Sequence, residues 1–147
     1  MSRSWIRTIR SAGLVAAMAA GLLGGVAATP SVAASHECDR QEPITKNGTY
    51  VFYVPFQYEP IHQSGCLVHK GAVGGEVKAI QRSLTRCYGR DIVVDGVFGD
   101  KTFAALKRVQ AQIGVTADGV YGPKTRDAMV WPRFRVSTGQ FVNCVSW

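Results

Sequence analysis

Hydrophobic residues recur at helical spacing in three stretches of the second half of the chain. This periodicity predicts helices over Glu76–Arg86, Asp100–Ile113 and Pro123–Val130. The apolar stripes of the two longer helices consist of Val77, Ile80 and Leu84, and of Phe103, Leu106, Val109 and Ile113. Proline suits the first position of the third helix, because the N–H that it lacks would have no helical partner there. Three short amphipathic helices predict one compact core.

Strand-like patterns are shorter and lie on either side of these helices. A run of Thr, Tyr, Val and Phe predicts a strand over Thr49–Val54. Arg133–Val136 and Phe141–Val145 predict a hairpin whose two-residue turn pairs the end of the first strand with the start of the second. The remainder of residues 35–70 is turn-rich and predicts irregular structure. We therefore expect a mainly α fold with an irregular N-terminal segment and a small sheet formed from the termini.

A short motif occurs twice, at an offset of 23 residues. Residues 94–102 read VDGVFGDKT and residues 117–125 read ADGVYGPKT, and each copy opens a predicted helix. The Asp-Gly pair is typical of a tight turn, because glycine tolerates positive φ and aspartate bonds nearby backbone N–H groups. Asp95 and Asp118 resemble a catalytic carboxylate pair, but nothing beside either residue supplies an acid–base partner. We therefore interpret both as structural turn residues.

The first 34 residues have the layout of a secretory signal peptide. Basic residues precede an apolar run rich in Gly and Ala, and small residues end at Ala34. A retained membrane anchor is the alternative, disfavoured because the apolar run is short and a cleavage-type site follows it. We expect a secreted protein without a membrane span in its mature form. The three arginines removed with the segment lower the net charge from +7 to +4.

A net charge of +4 suits attraction to a polyanionic wall surface, and it equally suits ordinary solubility. The lysines and arginines form no cluster along the sequence. We therefore expect no nucleic-acid partner.

Four cysteines in a small exported chain predict two disulfides, for which three pairings exist. We favour Cys38–Cys66, which closes the N-terminal segment on itself, and Cys87–Cys144, which ties the tail to the first helix. A metal site is the alternative, built from His36, Cys38, His62, Cys66 and His69. Disulfides are favoured over zinc because no Cys-x-x-Cys pair is present and export favours oxidation. We expect neither a metal nor any other cofactor.

The N-terminal segment is the most aromatic part of the chain, and two roles are open for its rings. They could stack on sugars or pack as a small satellite core, and packing is the commoner use. These residues are Tyr50, Phe52, Tyr53, Phe56 and Tyr58.

The residues around the repeated motif resemble the peptidoglycan-binding domain, a three-helix module often attached to bacterial wall hydrolases. The similarity spans roughly residues 71–131 and is carried by three segments, GEVKAIQRSL, VDGVFGDKTFAALKRVQ and GVTADGVYGPKT. Ile80, Val109 and Asp100 depart from the usual Leu, Phe and Pro. The resemblance implies a three-helix bundle that anchors to peptidoglycan, preceded by an extension at 35–70 and followed by a tail at 132–147.

The resemblance brings no defined ligand set, so contact residues are predicted from their chemistry. Gln81 and Gln110 are shared with the family, and we interpret them as core groups that bond loop backbone. The residues predicted to contact glycan or stem peptide lie at helix ends or loops. They are Tyr88, Arg90, Tyr121, Arg126 and Trp131. Tyrosine and tryptophan stack on sugar faces, and arginine binds carboxylates in bidentate fashion.

We expect a non-catalytic protein that binds peptidoglycan at the cell wall. Residues outside the matched region are too few for a catalytic core, and no zinc-protease, serine-hydrolase or phosphate-loop motif occurs. A Cys66–His69 nucleophile pair is excluded if Cys66 lies in a disulfide. The alternatives are an interaction module for a separate secreted wall enzyme or protease, and a small wall hydrolase.

Overall fold

The structure is a computed structural model that describes residues 37–58 and 63–147. Its three helices are α1 (Gly75–Arg86), α2 (Asp100–Gln112) and α3 (Pro123–Ala128). The four strands are β1 (Arg40–Lys46), β2 (Tyr50–Phe56), β3 (Val130–Arg135) and β4 (Phe141–Ser146). They form one antiparallel sheet in the order β1-β2-β3-β4. The predicted signal peptide, residues 1–34, lies outside the described residues.

The expected mainly α, three-helix fold is wrong. Strand accounts for 32% of the structure and helix for 29%, because a sheet is built from the segments on both sides of the helices. Arg40–Lys46, in the N-terminal segment expected to be irregular, is a strand that forms a hairpin with β2, and Asn47 and Gly48 are both at positive φ in its turn. The sequence of β1, RQEPITK, is largely polar. It forms an edge strand, where the missing N–H of Pro43 is tolerated.

The C-terminal hairpin differs in register from the expectation. Helix α3 ends at Ala128 rather than Val130, which instead begins β3. Phe134, and not Val136, stands opposite Phe141, with a bulge between β3 residues Arg133 and Phe134. The N–H of Val136 donates to the carbonyl of Thr49 at 2.9 Å, so this residue extends the contact with the β2 hairpin.

One hydrophobic core joins the helices to the sheet. Helix α1 packs against β1, β2 and β3 and also contacts α2. The apolar stripes predicted for α1 and α2 face this core, which Phe52 of β2 and Trp131 of β3 enter from the sheet. Among the N-terminal aromatic residues, Phe52 is buried and Tyr53 packs at the edge of the core, whereas Tyr58 is 43% exposed.

Two disulfides connect the sheet-forming segments to the helical region. Cys38 pairs with Cys66, with Cα atoms 5.0 Å apart, and Cys87 pairs with Cys144 at 5.8 Å. The first bond joins the residues before β1 to those before α1, and the second joins the end of α1 to β4. Within the described residues, no helix combines the length and apolar character needed to cross a membrane.

Candidate functional site

The first copy of the motif is organised by one buried glutamine. Gln81 of α1 is 1% exposed, and its Nε2 lies 2.8 Å from Asp95 Oδ1, 3.1 Å from the Val97 carbonyl and 3.2 Å from Thr102 Oγ1. The N–H of Gly96 donates to Gln81 Oε1 at 2.8 Å. Asp95 also accepts the N–H of Val97 at 2.8 Å. These bonds close the turn against α1, and the Val97 and Gln81 donors lower the pKa of Asp95.

The second copy repeats this network atom for atom. Gln110 of α2 is 1% exposed, and its Nε2 lies 2.9 Å from Asp118 Oδ1, 2.9 Å from the Val120 carbonyl and 3.1 Å from Thr125 Oγ1. The N–H of Gly119 donates to Gln110 Oε1 at 2.8 Å. Both glutamines therefore bond loop backbone from the core, and both aspartates hold turns.

A clamp segment, residues 67–74, runs past both loops and bonds each of them. Val68 and Tyr121 exchange backbone hydrogen bonds of 3.0 and 2.8 Å. Phe98 donates to the carbonyl of Ala72 at 2.9 Å and accepts the N–H of Gly71 at 3.0 Å. The aromatic residue of each copy is thereby fixed at its backbone while its ring enters the core.

Each copy forms a shallow groove on the surface. Groove A, of about 270 Å³, is lined by residues between Ile92 and Thr102. Groove B, of about 390 Å³, is lined by residues between Val115 and Thr125. Every residue that lines groove A has its counterpart at offset 23 in groove B, which gains Leu67 from the clamp segment. The repeat therefore produces two related surface features as well as two turns.

A cationic groove adjoins groove A. This Arg90 groove, of about 420 Å³, shares Ile92 and Lys101 with groove A and is otherwise lined by Arg90, Asp91, Ala104, Ala105 and Arg108. Nε of Arg90 is buried without a hydrogen-bond partner among the described residues, although Nη2 donates to Gln112 Oε1. A buried cationic donor without an acceptor is costly, so it is suited to an anionic ligand.

Three of the five predicted contact residues serve the core. Tyr121 and Trp131 are both 0% exposed, and their rings meet edge to face at 6.0 Å, so neither presents a surface for a sugar. The hydroxyl of Tyr88 accepts the N–H of Val130 at 2.8 Å, and partial burial raises the pKa of Tyr88. Burial also raises the pKa of Tyr121 well above its usual range. Both rings therefore lie inside the core, and a role for Tyr121 or Trp131 in ligand contact stays a prediction.

The two arginines differ from each other. Arg126 pairs with Asp127 at 2.7 Å and donates to Ser64 Oγ at 2.8 Å, so its guanidinium is already occupied. Arg90 lines a groove. Lys101 and Arg108 were not predicted from the sequence, although their spacing carries a signal. With Ala104 and Ala105 they follow the i, i+3, i+4, i+7 spacing that puts four residues on one helix face.

The residues considered for metal binding or nucleophilic catalysis have other contacts. Cys38 and Cys66 are bonded to each other. His69 Nε2 lies 2.6 Å from Glu37 Oε1, and its Nδ1 lies 3.0 Å from the Lys70 carbonyl. The backbone bond first, and Glu37 second, raise the pKa of His69. His36 and His62 lie outside the described residues, and within those residues no group of three potential ligands forms a metal site.

The helical region is similar to known proteins. A family model described as "Putative peptidoglycan binding domain" matches residues 73–129. The N-acetylmuramoyl-L-alanine amidase CwlL of Bacillus licheniformis is 36% identical over 72 residues, which cover 45% of this chain and 19% of that protein. The spore cortex-lytic enzyme of Oceanobacillus iheyensis is 36% identical over 64 residues, which cover 44% and 23%.

A solved structure, that of a peptidoglycan-binding protein from Clostridioides difficile in complex with glutamine hydroxamate, is 31% identical to this chain. The match covers 59% of this chain and 54% of that one, with a TM-score of 0.44. The chain spans about a fifth of the length of the two curated enzymes and about half of the solved protein.

Proposed function

We propose that this protein, whose residues 73–129 belong to the peptidoglycan-binding domain family, binds cell-wall peptidoglycan without cleaving it. We further propose that the Arg90 groove takes a carboxylate of the stem peptide. The observation that carries the proposal is the buried Nε of Arg90, which has no acceptor among the described residues and lines an open groove.

The charges around the groove favour an anionic ligand. Arg90, Lys101 and Arg108 line it, against one carboxylate from Asp91. A guanidinium presents parallel N–H donors that fit both oxygens of a carboxylate, whereas the ammonium of Lys101 acts as a point charge. Stem peptides carry free carboxylates at short intervals, so two guanidinium groups and one ammonium match their chemistry.

The non-catalytic part of the proposal is supported by what the reactive side chains already do. Asp95 and Asp118 each accept hydrogen bonds from a backbone N–H and a glutamine amide. Cys66 is oxidised, so a thiolate paired with His69 is not available. The amidase and lytic activities of the curated relatives belong to proteins of which this chain matches about a fifth.

The proposed setting is the bacterial cell wall, outside the cytoplasm. Two disulfides fit an oxidising compartment, and the N-terminal sequence fits export. Both features are consistent with a secreted protein that works on the insoluble wall.

Co-sedimentation of the oxidised protein with purified insoluble peptidoglycan tests the binding proposal. We expect saturable pelleting that persists at about 1 M salt, where the Debye length is about 3 Å. Arg90→Gln should weaken binding about 10- to 100-fold, since charge-assisted hydrogen bonds contribute about 1.5–3 kcal/mol. The control, Lys107→Gln, also removes one positive charge, but from a residue of α2 that does not line the groove, and it should change binding less than twofold. Equal binding by Arg90→Gln and the wild type would overturn the site.

Zymography on embedded peptidoglycan tests the absence of cleavage. Binding alone clears nothing, so we expect an unchanged gel at the position of the protein. A cleared band that persists in a preparation free of other wall hydrolases would refute the non-catalytic proposal and leave the binding proposal intact.

A further inference from the structure

A fourth groove lies on the sheet, largely outside the region that matches the family. This sheet groove has a volume of about 390 Å³ and involves β1, β2, β3, the β3–β4 turn and α1. Of the residues that line it, only Arg82 falls within residues 73–129. The groove therefore depends on the segments that this chain adds to the helical domain.

Two guanidinium groups give the sheet groove its charge. Arg82 and Arg135 line it, and no acidic residue does. Neither arginine belongs to an ion pair among the described residues. Arg82 is held in place, because its Nη1 donates to Gln41 Oε1 at 2.7 Å and its guanidinium carbon lies 5.6 Å from the Tyr53 ring centre. One positioned and one exposed guanidinium favour an anion at this site.

The same groove offers an aromatic and aliphatic wall. Tyr53 and Phe134 line it and are both half-buried, and Val51 and Val136 add branched aliphatic groups. Aromatic rings of this kind pack against the apolar C–H face of a sugar, while the Tyr53 hydroxyl provides a polar handle. The combination of a ring-binding surface with two cations points to a ligand that carries both a sugar and a negative charge.

We propose that the sheet groove binds an acidic sugar unit, a sugar ring that bears a carboxylate or a phosphate. Arg82 and Arg135 bind the anionic group, and Tyr53 and Phe134 contact the ring. The site is separate from the Arg90 groove and does not depend on stem-peptide binding there. Two wall components carry this chemistry, the muramic acid sugar of glycan strands where no stem peptide is attached to its carboxylate, and phosphate-bearing wall polymers.

Titration of the isotope-labelled, oxidised protein with three sugars, followed by backbone amide NMR shifts, tests the proposal. The probes are N-acetylmuramic acid, N-acetylglucosamine 1-phosphate and neutral N-acetylglucosamine. We expect at least one acidic sugar to shift the amides of Val51, Tyr53 and Val136, with neutral N-acetylglucosamine binding at least tenfold more weakly. The tighter acidic sugar identifies the carboxylate or the phosphate source.

Variants separate this site from the Arg90 groove. Arg135→Gln should weaken acidic-sugar binding about tenfold, as expected for loss of a charge-assisted contact. Its control, Arg133→Gln, changes a β3 arginine that lies over Tyr50 at 4.5 Å and does not line the groove, and it should bind normally. Arg135 is exposed, and its guanidinium lies 5.7 Å from the Tyr50 ring centre with no ion pair among the described residues. The variant is therefore expected to remain folded, which thermal unfolding verifies.

Three results would overturn the proposal. The first is the absence of shifts at the sheet groove with both acidic sugars. The second is equal binding of the neutral sugar, which would remove the role of the arginines. The third is acidic-sugar binding that Arg90→Gln abolishes and Arg135→Gln leaves unchanged. That third result would reassign the ligand to the Arg90 groove and support that site instead.

Discussion

The two copies of the Asp-Gly-Val-aromatic-Gly motif form the same hydrogen-bond network in different surroundings. Gln81 and Gln110 make equivalent bonds, and the glycines at 96 and 119 have φ values of 84° and 79°. The first copy opens a helix of 13 residues and adjoins the cationic Arg90 groove, whereas the second opens a helix of six residues. The same turn forms in both places because a buried glutamine of the preceding helix bonds its polar groups, and the surrounding packing decides its role.

The aromatic residue of the motif shows most clearly how the surroundings of the two copies differ. Phe98 and Tyr121 are equally buried and are both bonded to the clamp segment. The Tyr121 ring additionally meets Trp131 of the sheet. The ring of the second copy therefore packs at the junction between helices and sheet, and the first copy adjoins the cationic Arg90 groove.

Removing either glutamine should cause the largest loss of stability, and the loss should be similar for the two copies of the motif. Gln81→Ala and Gln110→Ala each leave a glycine N–H and other loop groups without their partner, which should cost about 2–4 kcal/mol of unfolding free energy. Urea unfolding with the disulfides intact measures both variants. A difference of more than about 2 kcal/mol between them would show that the networks are equivalent in geometry and unequal in energy.

Substitution of alanine for Gly96 or Gly119 should destabilise the two copies of the motif by different amounts. A left-handed conformation costs a non-glycine residue about 1–2 kcal/mol at either position. At Gly119 the new methyl group would also meet the ring of Phe103, whereas at Gly96 it meets the flexible end of Lys78 and the Gly74 carbonyl. We expect Gly119→Ala to be more destabilising by about 1 kcal/mol, owing to overpacking. Equal losses in urea unfolding would contradict this difference.

Exchanging the aromatic residues should give effects of opposite sign. The Tyr121 hydroxyl is buried without a hydrogen-bond partner among the described residues. Tyr121→Phe should therefore be neutral or stabilising by up to about 1 kcal/mol, and Phe98→Tyr should cost about 1–3 kcal/mol. A clear loss of stability in Tyr121→Phe would indicate that this hydroxyl has a partner, such as a buried water. Thermal and urea unfolding report both changes.

Acid should lower the stability of the protein through Asp95 in the first copy of the motif. We expect this effect to be the smallest of the four, because the Asp95 carboxylate is exposed. The N–H of Val97 and the amide of Gln81 lower the pKa of Asp95 in the folded state. Its contribution to stability is therefore present above the unfolded pKa and is lost as the pH falls through the folded pKa. Asp95→Asn should show a smaller loss of stability than the wild type below about pH 4. Parallel acid titrations of the two proteins would contradict this assignment.

The helices and turns could be predicted because their signals are local. Apolar spacing identified α1 and α2. The Asp-Gly pairs identified both turns, in which the aspartates accept the N–H groups of Val97 and Val120 at 2.8 and 2.9 Å. The cysteine pairing that the structure forms is the one favoured from the sequence. Of the candidate site, Arg90 was predicted, whereas the helix-face spacing of Lys101 and Arg108 was overlooked.

The sheet and the burial of the aromatic residues could not be predicted in the same way. β1 is polar and contains Pro43, so nothing local distinguishes it from a loop, and it becomes a strand by pairing with β2. Trp131 looked accessible because it follows a short helix. Contacts with residues distant in sequence bury it instead.

The sequence by itself determined the repeated turn, the amphipathic helices and the relation to peptidoglycan-binding domains, because these depend on residues within about one turn or one motif of each other. Only the tertiary structure decided which side chains face solvent. Tyr121 and Trp131 pack against each other inside the core, whereas the packing of α1 on the sheet brings Arg82 and Arg135, 53 positions apart in the chain, to one groove. Exposure depends on packing between distant segments, and that packing has no signature in any single stretch of sequence.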